Sequence, residues 1–228
     1  MSEQVRLMFS DISESYDLGN DVLSFGTHRL WKRSMVRQAR APRGGSVLDL
    51  ATGTGDIALL FSDEVGPEGK VIGADFCPDM IQQARAREKN QRTNLSFEVG
   101  DAIHLRFADN SFDISSISFG IRNVDDPVKA LSEMRRVVKP GGRVVVLEFG
   151  QPRGLFGLLY RFYSNYVLPI IGGVVSGNRK AYSYLNRTAA EFPCREGFIE
   201  LMHRAGFKRA SWKGMFGGIA FLYIGEVE

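Results

Sequence analysis

The chain has 228 residues, of which 44% are hydrophobic and 24% charged, with a net charge of +3. This length supports one sizeable core, and the small charge does not indicate a nucleic-acid binder, which would concentrate more Lys and Arg. Cys77 and Cys194 are far apart and have no metal-ligand or redox-motif spacing. We therefore expect two free thiols in a reducing cytosol, and no metal site. The N-terminal residues lack an apolar signal region, so we expect a cytoplasmic protein.

The first 45 residues are predicted to form a helical cover, in which the clearest pattern is a helix over Thr27–Arg40. This region also holds a run of basic residues: Arg29, Lys32, Arg33, Arg37, Arg40 and Arg43. Such a run is typical of a solvated helix face, and it is also compatible with attraction to an anionic lipid surface.

From Ser46 onward, apolar β runs alternate with helical segments. The predicted strands are Val47–Ala51, Lys70–Phe76, Leu95–Ala102, Phe112–Ile121 and Arg143–Phe149. This alternation predicts a doubly wound, parallel sheet with right-handed connections. Residues 46–150 are accordingly expected to form the cofactor-binding half of the protein.

The most apolar stretch of the chain is Gly154–Gly177. A membrane-spanning helix needs about 20 mostly apolar residues, whereas Arg161, Asn165 and Pro169 interrupt this one. We therefore interpret residues 151–193 as an apolar lid inserted after the fifth strand. Part of it is expected to be ordinary core, and part to line a channel or touch a membrane interface.

The C-terminal residues 194–228 predict a helix at Cys194–Ala205 and then two β runs that flank Gly217 and Gly218. Two such runs joined by a glycine pair indicate an antiparallel hairpin. Residues 1–228 thus predict one α/β domain. Its sheet is doubly wound, mostly parallel and seven-stranded, with a C-terminal antiparallel hairpin and a helical cover.

The loop after the first strand reads DLATGTGD, Asp49 to Asp56. Gly53 and Gly55 permit a tight turn and a close approach of the backbone to a ligand. The third glycine of the dinucleotide fingerprint and the Walker pattern are both missing. Asp56 stands where a helix N-terminus would meet a pyrophosphate, which it would repel. Together with Asp49, the loop suits a positively charged ligand that lacks phosphate, such as S-adenosylmethionine.

Polar residues follow the other predicted strands in order. Asp75 ends the second strand and is expected to accept hydrogen bonds from ribose hydroxyls. Asp101 ends the third strand, before Ala102, and is expected to accept from an adenine amino group. Ser118 lies in the fourth strand, at the floor of the cleft. Any one of these acids could be a helix cap or turn residue, but the ordered set favours a cofactor site.

Several longer motifs resemble one family, the ubiquinone/menaquinone biosynthesis C-methyltransferases, within the class I S-adenosylmethionine-dependent methyltransferases. They are YDLGNDVLSFGTHRLWKR (Tyr16–Arg33), LDLATGTGD, DNSFD (Asp109–Asp113), ISFGIRNV (Ile117–Val124), the run from Ala130 to Arg143 that ends in KPGGR, and VLEF. GTGD and PGGR are shared by many methyltransferases, whereas the SFGTHRLW and FGIRNV segments are specific. The resemblance covers essentially the whole chain.

This resemblance implies C-methylation of a prenylated quinol ring, most directly demethylmenaquinol to menaquinol. It implies cofactor contacts at Thr54, Asp75, Asp101, Ala102 and Ser118, with Tyr16 and Lys32 as further contacts from the cover. The chain departs from the family pattern at Gly19, Thr52 and Tyr223. The changes at Gly19 and Tyr223 bear on ring specificity rather than on cofactor binding.

Three residues are candidates for catalysis. Arg122, in FGIRNV, is a poor base because its guanidinium stays protonated, but it could stabilise a phenolate and orient a water molecule. A structural pair with a nearby Asp is the alternative. His28 is the second candidate, as a general base or as a helix-start residue. Asn123 could bond a quinol oxygen or serve a turn.

Three other functions remain open from the residues alone. The acceptor could be a different hydrophobic molecule, such as a sterol, a fatty acyl chain or a small phenol. The protein could bind S-adenosylmethionine without transferring a methyl group. A nicotinamide dehydrogenase is disfavoured by the loop. We expect a lipophilic quinol partner and no nucleic acid; contact with the inner face of the membrane, a homodimer and a quinone-biosynthesis complex are all compatible with the sequence.

Overall fold

The computed structural model describes residues 3–13, 16–24, 26–88, 92–167, 170 and 179–228. Three helices precede the sheet: α1 (Glu3–Ile12), α2 (Tyr16–Ser24) and α3 (Thr27–Ala39). The predicted helix over Thr27–Arg40 is therefore confirmed to within one residue. Of Tyr16 only the helical backbone is described, so its predicted cofactor contact lies outside the described part of the chain.

The sheet has seven strands in the order β3-β2-β1-β4-β5-β7-β6. Their bounds are β1 Ser46–Leu50, β2 Lys70–Asp75, β3 Leu95–Val99, β4 Phe112–Ser118, β5 Val138–Phe149, β6 Arg209–Met215 and β7 Ala220–Glu226. Strands β1 to β5 pair in parallel, and β7 runs antiparallel to both β5 and β6. The predicted doubly wound sheet and its C-terminal hairpin are confirmed.

Strand β5 begins earlier than predicted, at Val138 rather than Arg143. Val138 pairs with Phe112, and after the KPGG segment the register shifts so that Arg143 lies opposite Ile114. A bulge of this kind absorbs extra residues within a strand and sharpens its bend. The two glycines make it sterically feasible, because a Cβ on Gly142 would lie 2.4 Å from the Asp113 carbonyl oxygen.

Helices cover both faces of the sheet. The bounds of the remaining helices are α4 Asp56–Val65, α5 Pro78–Arg87, α6 Pro127–Val137, α7 Gly154–Phe162, α8 Arg179–Glu191 and α9 Glu196–Arg204. One buried cluster joins α3, α4 and α5 to the sheet through side chains such as Met35, Phe61 and Ile81. The other joins α6 and α9 through Met134 and Phe198. The strands are apolar on both sides, as expected of a parallel sheet.

Residues 151–193 follow β5 and contain α7, a π-helical turn at Tyr163–Val167, and α8. The last part of the apolar stretch, residues 171–177, lies outside the described residues. Within the described ranges, every helix is too short or too polar to traverse a bilayer. The interpretation of this segment as a lid stays a prediction.

Because the bulge in β5 brings Gly142 against backbone, Gly142→Ala is expected to destabilise the fold by about 1–3 kcal/mol through overpacking. Urea unfolding should show a lower midpoint with an unchanged slope. Gly100→Ala is the matched control, since its Cβ would meet only Ala74 Cβ, at 3.4 Å. Equal midpoints for the two variants would contradict this description of the bulge.

Candidate active site

The loops that follow β1, β2, β3 and β4 meet at one edge of the sheet, because parallel strands end on the same side. The strand order reverses between β1 and β4, where a crevice forms in such folds. A cavity lies here, lined by Phe9 of α1 and by Ala51, Gly53, Asp75, Met80, Phe119, Gly120 and Asn123. The structure therefore brings residues from three of the predicted strand ends, those of β1, β2 and β4, to one cavity.

The loop after β1 has the backbone shape that its glycines suggest. Gly53 and Gly55 have φ of 57° and 86°, which favours glycine. A Cβ on Gly55 would also lie 2.8 Å from Phe97 Cζ. Ala51 and Phe119 line the cavity with φ of 48° and 55°. Non-glycine residues with positive φ values of this kind carry backbone strain, and such strained residues cluster at functional sites.

Asp49 lies beneath this loop rather than in the cavity. Its carboxylate accepts hydrogen bonds from the hydroxyls of Thr52 and Ser116, each at 2.7 Å. Burial raises the pKa of Asp49 to about 7, although both hydroxyls oppose that shift. Asp49 is fully buried and is not among the residues that line the cavity, so this geometry assigns it to holding the loop. A direct contact between Asp49 and the cofactor stays a prediction.

The position of Asp75 agrees with its predicted contact to the ribose hydroxyls of the cofactor. It lines the cavity, and its two oxygens accept from the backbone amides of Gly53 and Cys77 at 2.8 and 2.9 Å. Each carboxylate oxygen can accept a second bond, so capacity remains for ribose hydroxyls. Burial raises the pKa of Asp75, and the backbone amides counteract it.

The remaining cofactor candidates sit at the next strand ends. Asp101 accepts from the Ile103 amide at 3.2 Å and is half-buried, beside half-buried Ala102. Ser118 ends β4, and its hydroxyl is buried without a hydrogen-bond partner. These placements agree with the predicted order along the edge of the sheet.

Asp56 is not an isolated acid at the start of α4. Its carboxylate pairs with Lys32 at 2.7 Å and with Arg87 at 2.5 Å, and Arg87 also pairs with Asp17 at 2.9 Å. Burial raises the pKa of Asp56, but the two cations outweigh it and hold that pKa below its usual range. The two carboxylates and two cations balance, which corrects the expectation of an acidic loop that repels phosphate by itself.

The ion-pair cluster of Asp17, Lys32, Asp56 and Arg87 holds the helical cover over the glycine loop. Asp17 of α2 accepts a hydrogen bond from the Thr54 hydroxyl at 2.7 Å. The predicted cofactor contacts Thr54 and Lys32 thus bind acidic groups of the protein, and a direct contact with the cofactor stays a prediction for both. Asp17 and Arg87 were missed, because nothing in the sequence links residues so far apart.

Arg122 has a partner that the sequence analysis did not consider. Its Nη1 lies 2.7 Å from Oε1 of Glu148 and donates to the Phe119 carbonyl at 2.6 Å. The two side chains are only 3% and 1% exposed. Glu148 could have been suspected from the sequence, because it is a single acid in the apolar run VVVLEF, and buried acids need partners.

His28 lies at the start of α3, where Nδ1 is 2.7 Å from the Ser24 hydroxyl and Nε2 is 3.7 Å from Asp21. Burial lowers the pKa of His28, and Lys32 lowers it further, so the ring is neutral at pH 7. Its bonds lie within the helical cover. Asn123 instead lines the cavity, and both polar atoms of its amide are buried without a partner.

Among the described residues, seven buried side-chain polar atoms lack a hydrogen-bond partner, and five of them lie at or just beyond the ends of β4 and β5. These five are Ser118 Oγ, Asn123 Oδ1 and Nδ2, Arg122 Nε and Glu148 Oε2, and the other two are Trp31 Nε1 and Ser115 Oγ. Proteins satisfy the great majority of their buried polar atoms, so such a group indicates a place for a polar ligand or ordered water. A ring bearing hydroxyl groups, next to a cofactor on the glycine loop, has the chemistry that this group would satisfy.

The comparison with known families decides the class of protein. The family model described as the ubiE/COQ5 methyltransferase family matches residues 1–226. The chain belongs to the ubiE/COQ5 methyltransferase family. The predicted resemblance and enzyme class are thereby confirmed, and the family likeness extends over the cover, the sheet and the C-terminal hairpin.

Curated relatives of this family member span nearly its full length. "Ubiquinone/menaquinone biosynthesis C-methyltransferase UbiE" of Bdellovibrio bacteriovorus is 51% identical, covering 99% of this chain and 97% of that protein. "Demethylmenaquinone methyltransferase" of Thermus thermophilus is 44% identical, with 96% and 99% covered. The protein of the same name from Deinococcus radiodurans is 42% identical, with 98% and 92% covered.

Solved structures share the fold at low identity. A methyltransferase of Thermotoga maritima, described as a possible histamine N-methyltransferase, has a TM-score of 0.68 at 22% identity, covering 98% of this chain and all of the other. A methyltransferase from Aquifex aeolicus has a TM-score of 0.60 at 18% identity, with 85% and 88% covered. These likenesses confirm the class I methyltransferase fold.

The buried carboxyl of Asp49 should make stability depend on pH. Its pKa is raised from 3.8 to about 7, so the folded state binds its proton more tightly than the unfolded state. The contribution to stability is therefore greatest at low pH and is lost as pH rises to about 7. Asp49→Asn should flatten the fall of the urea midpoint between pH 3.8 and about 7, which are the unfolded and folded pKa values of this carboxyl. An unchanged slope would contradict an ionising Asp49.

Proposed function

We propose that the protein transfers a methyl group from S-adenosylmethionine to a ring carbon of a prenylated quinol, converting demethylmenaquinol to menaquinol. The observation that carries this proposal is the group of partnerless polar atoms at Ser118, Arg122, Asn123 and Glu148, beside the glycine-loop cavity. Membership of the ubiE/COQ5 methyltransferase family and the names of the relatives support the proposal independently of this geometry.

S-adenosylmethionine supplies an electrophilic methyl group on a sulfonium centre. The residues that would hold it are the Gly53–Gly55 loop, Asp75, and Asp101 with Ala102, which lie in this order along the edge of the sheet. The strained backbone of the loop and the spare accepting capacity of Asp75 support this assignment. No metal is needed for the transfer, because positive charge disappears when the methyl group moves.

The protein must first make the ring carbon nucleophilic. Loss of a hydroxyl proton does this, but a phenol has a pKa of about 10, so a neighbouring group must accept the proton at neutral pH. Arg122 cannot accept it, since a guanidinium stays protonated. The neutral His28 bonds within the cover rather than at the partnerless group.

Glu148 is the better acceptor. One of its oxygens is bound to Arg122 and to the Phe149 amide, whereas Oε2 is buried without a partner. Burial raises the pKa of Glu148, and the adjacent Arg122 offsets part of that rise. We assign Oε2 to receiving the proton, directly or through one water molecule. Arg122 then stabilises the phenolate, and the Asn123 amide orients the ring oxygen. After the ring carbon has accepted the methyl group, it must release its own hydrogen as a proton, and one proton returns to the ring oxygen, so that the quinol is restored.

The substrate also suggests a location. A prenyl tail partitions into a bilayer, so we place the protein in the cytoplasm, at the inner face of the membrane. A homodimer or a larger quinone-biosynthesis complex remains a prediction from the sequence.

The proposal is tested with the purified protein, S-adenosylmethionine and a panel of acceptors. We expect S-adenosylmethionine, but not NAD, to bind in a calorimeter, because the loop lacks the dinucleotide pattern. Methyl transfer is expected to demethylmenaquinol and not to a sterol, a fatty acyl chain or a small phenol. Preference for one of those acceptors would move the assignment to that substrate. Cofactor binding without any transfer would favour a binding subunit.

Glu148→Gln should lower kcat about 10²- to 10⁴-fold at neutral pH, since an amide cannot accept the proton. Part of the loss should return at high pH, where the quinol ionises by itself. The affinity for S-adenosylmethionine, measured by calorimetry, should stay near that of the parent. The matched control is Glu133→Gln, which removes a half-exposed ion pair with Arg136 on α6. A wild-type kcat and pH profile in Glu148→Gln would rule out this role.

Arg122→Ala should also reduce turnover strongly while cofactor affinity stays near normal, because phenolate stabilisation is lost. This variant leaves the buried carboxylate of Glu148 without its cation, which is costly. Thermal unfolding must therefore accompany the assay, and the double variant Arg122→Ala/Glu148→Gln separates the two effects. Unchanged turnover in a folded Arg122→Ala protein would exclude Arg122 from the reaction.

A further inference from the structure

Helix α7 turns its large apolar side chains toward solvent. Leu155 is 75% exposed, and Leu159 and Phe162 are each 63% exposed. Their spacing places them on one face of the helix. The residue that α7 buries is Gly157, where a Cβ would lie only 2.2 Å from the Pro152 carbonyl oxygen. At this glycine the helix packs closely on the chain that leads into it. Its large apolar side chains face solvent, whereas those of an ordinary amphipathic helix face a core.

Leu158 and Tyr166 extend this face. We call the five residues together the α7 stripe: Leu155, Leu158, Leu159, Phe162 and Tyr166. The rings of Phe162 and Tyr166 are 5.2 Å apart, so the stripe continues into the π-helical turn. Leu158 and Tyr166 are also exposed. Monomeric soluble proteins rarely show contiguous apolar patches of this kind unless the patch binds something.

The apolar surface continues onto the turn of the C-terminal hairpin. A Cβ on Gly217 would lie 2.8 Å from Phe156 Cε1, so the turn packs against α7. The neighbouring Phe216 is exposed, with its ring 6.0 Å from that of Trp31. Two separate elements therefore contribute apolar side chains to one side of the molecule.

The charged residues of the sequence segment that carries the α7 stripe all have one sign. Residues 151–190 contain Arg153, Arg161, Arg179, Lys180 and Arg187, and not one Asp or Glu. Arg153 and Arg161 are exposed near the two ends of α7. An exposed apolar helix face with exposed cations near both of its ends is typical of a surface that lies on an anionic bilayer.

The basic run on α3 differs in this respect. Arg29 bonds to Asp21 and Lys32 bonds to Asp56, while Arg43 donates to backbone carbonyls at the end of α4. Three of the six cations of the run are therefore engaged by groups of the protein itself. Of the two surfaces that the sequence left open for lipid contact, the structure favours α7 and the π-helical turn that follows it.

We propose that the α7 stripe, with Arg153 and Arg161, docks the protein on a bilayer that contains anionic lipids. The inference deepens the proposed function and rests on it for its biological sense, because the prenylated substrate resides in that bilayer. The chain runs from Glu148 at the end of β5 to Gly154 at the start of α7. Docking at this face would therefore bring the partnerless polar group close to the lipid that carries the substrate.

The test is flotation of the purified full chain with phosphatidylcholine vesicles, with and without phosphatidylglycerol. We expect binding to the anionic vesicles that weakens at high ionic strength. The triple variant Leu155→Gln/Leu159→Gln/Phe162→Gln should lose at least ~10-fold in partitioning, because apolar burial is removed. Its matched control is Val99→Gln, an exposed apolar position on β3, at the opposite side of the sheet.

The charge component has its own pair of variants. Arg153→Gln/Arg161→Gln should lose about 30-fold in binding to anionic vesicles, since each basic residue near such a surface contributes about 1 kcal/mol. Arg33→Gln/Arg37→Gln, on the exposed side of α3, should bind like the parent. Loss of binding in the α3 pair alone would overturn the assignment to α7.

The proposal fails if the parent does not float with anionic vesicles, or if the triple variant floats as well as the parent. It also fails if the stripe variants only convert a dimer to a monomer in sedimentation, which would assign the surface to a second copy of the chain. Turnover of demethylmenaquinol dispersed in detergent, without vesicles, measures the proposed function separately. Normal turnover in a variant that no longer binds vesicles would show docking and chemistry to be independent.

Discussion

The reversal of strand order between β1 and β4 is the constraint on which the rest of the site depends. Parallel strands need crossovers on alternate faces, and where the winding reverses, no crossover can fill the gap at the carboxyl edge. The glycine loop, Asp75 and the turn at Gly120–Asn123 all border that gap. The methyltransferase site is thus a consequence of topology, and its chemistry comes from the side chains that happen to end each strand.

Burial of charge at this edge sets the electrostatic character of the site. Asp49 is supported by two hydroxyls, Asp75 by backbone amides, and Glu148 by Arg122. Each arrangement satisfies some of the buried polar atoms, and only at the ends of β4 and β5 are several left without partners. Incomplete satisfaction of a buried ion pair is costly for folding alone. Its presence here makes sense if the pair serves a substrate.

The periodicity of the sequence was sufficient to predict the sheet, the hairpin and helix α3, because apolar patterning decides which face of an element is buried. It also placed Asp75 and Asp101 at strand ends in the right order. It could not reveal the Asp17–Arg87–Asp56–Lys32 cluster, since ion pairs between distant residues leave no local pattern. It could not show either that Asp49 lies beneath the loop with Thr52 and Ser116, because a carboxylate beneath a loop and one that faces the cavity occupy the same position in the sequence.

The central claim is that the edge at β4 and β5 directs methylation to a ring carbon. The most direct measurement is the reaction of demethylmenaquinol with S-adenosylmethionine labelled in its methyl group, followed by NMR of the extracted product. The account predicts that the label is bonded to a ring carbon ortho to a hydroxyl. A label on a quinol oxygen, or no labelled quinol at all, would contradict it.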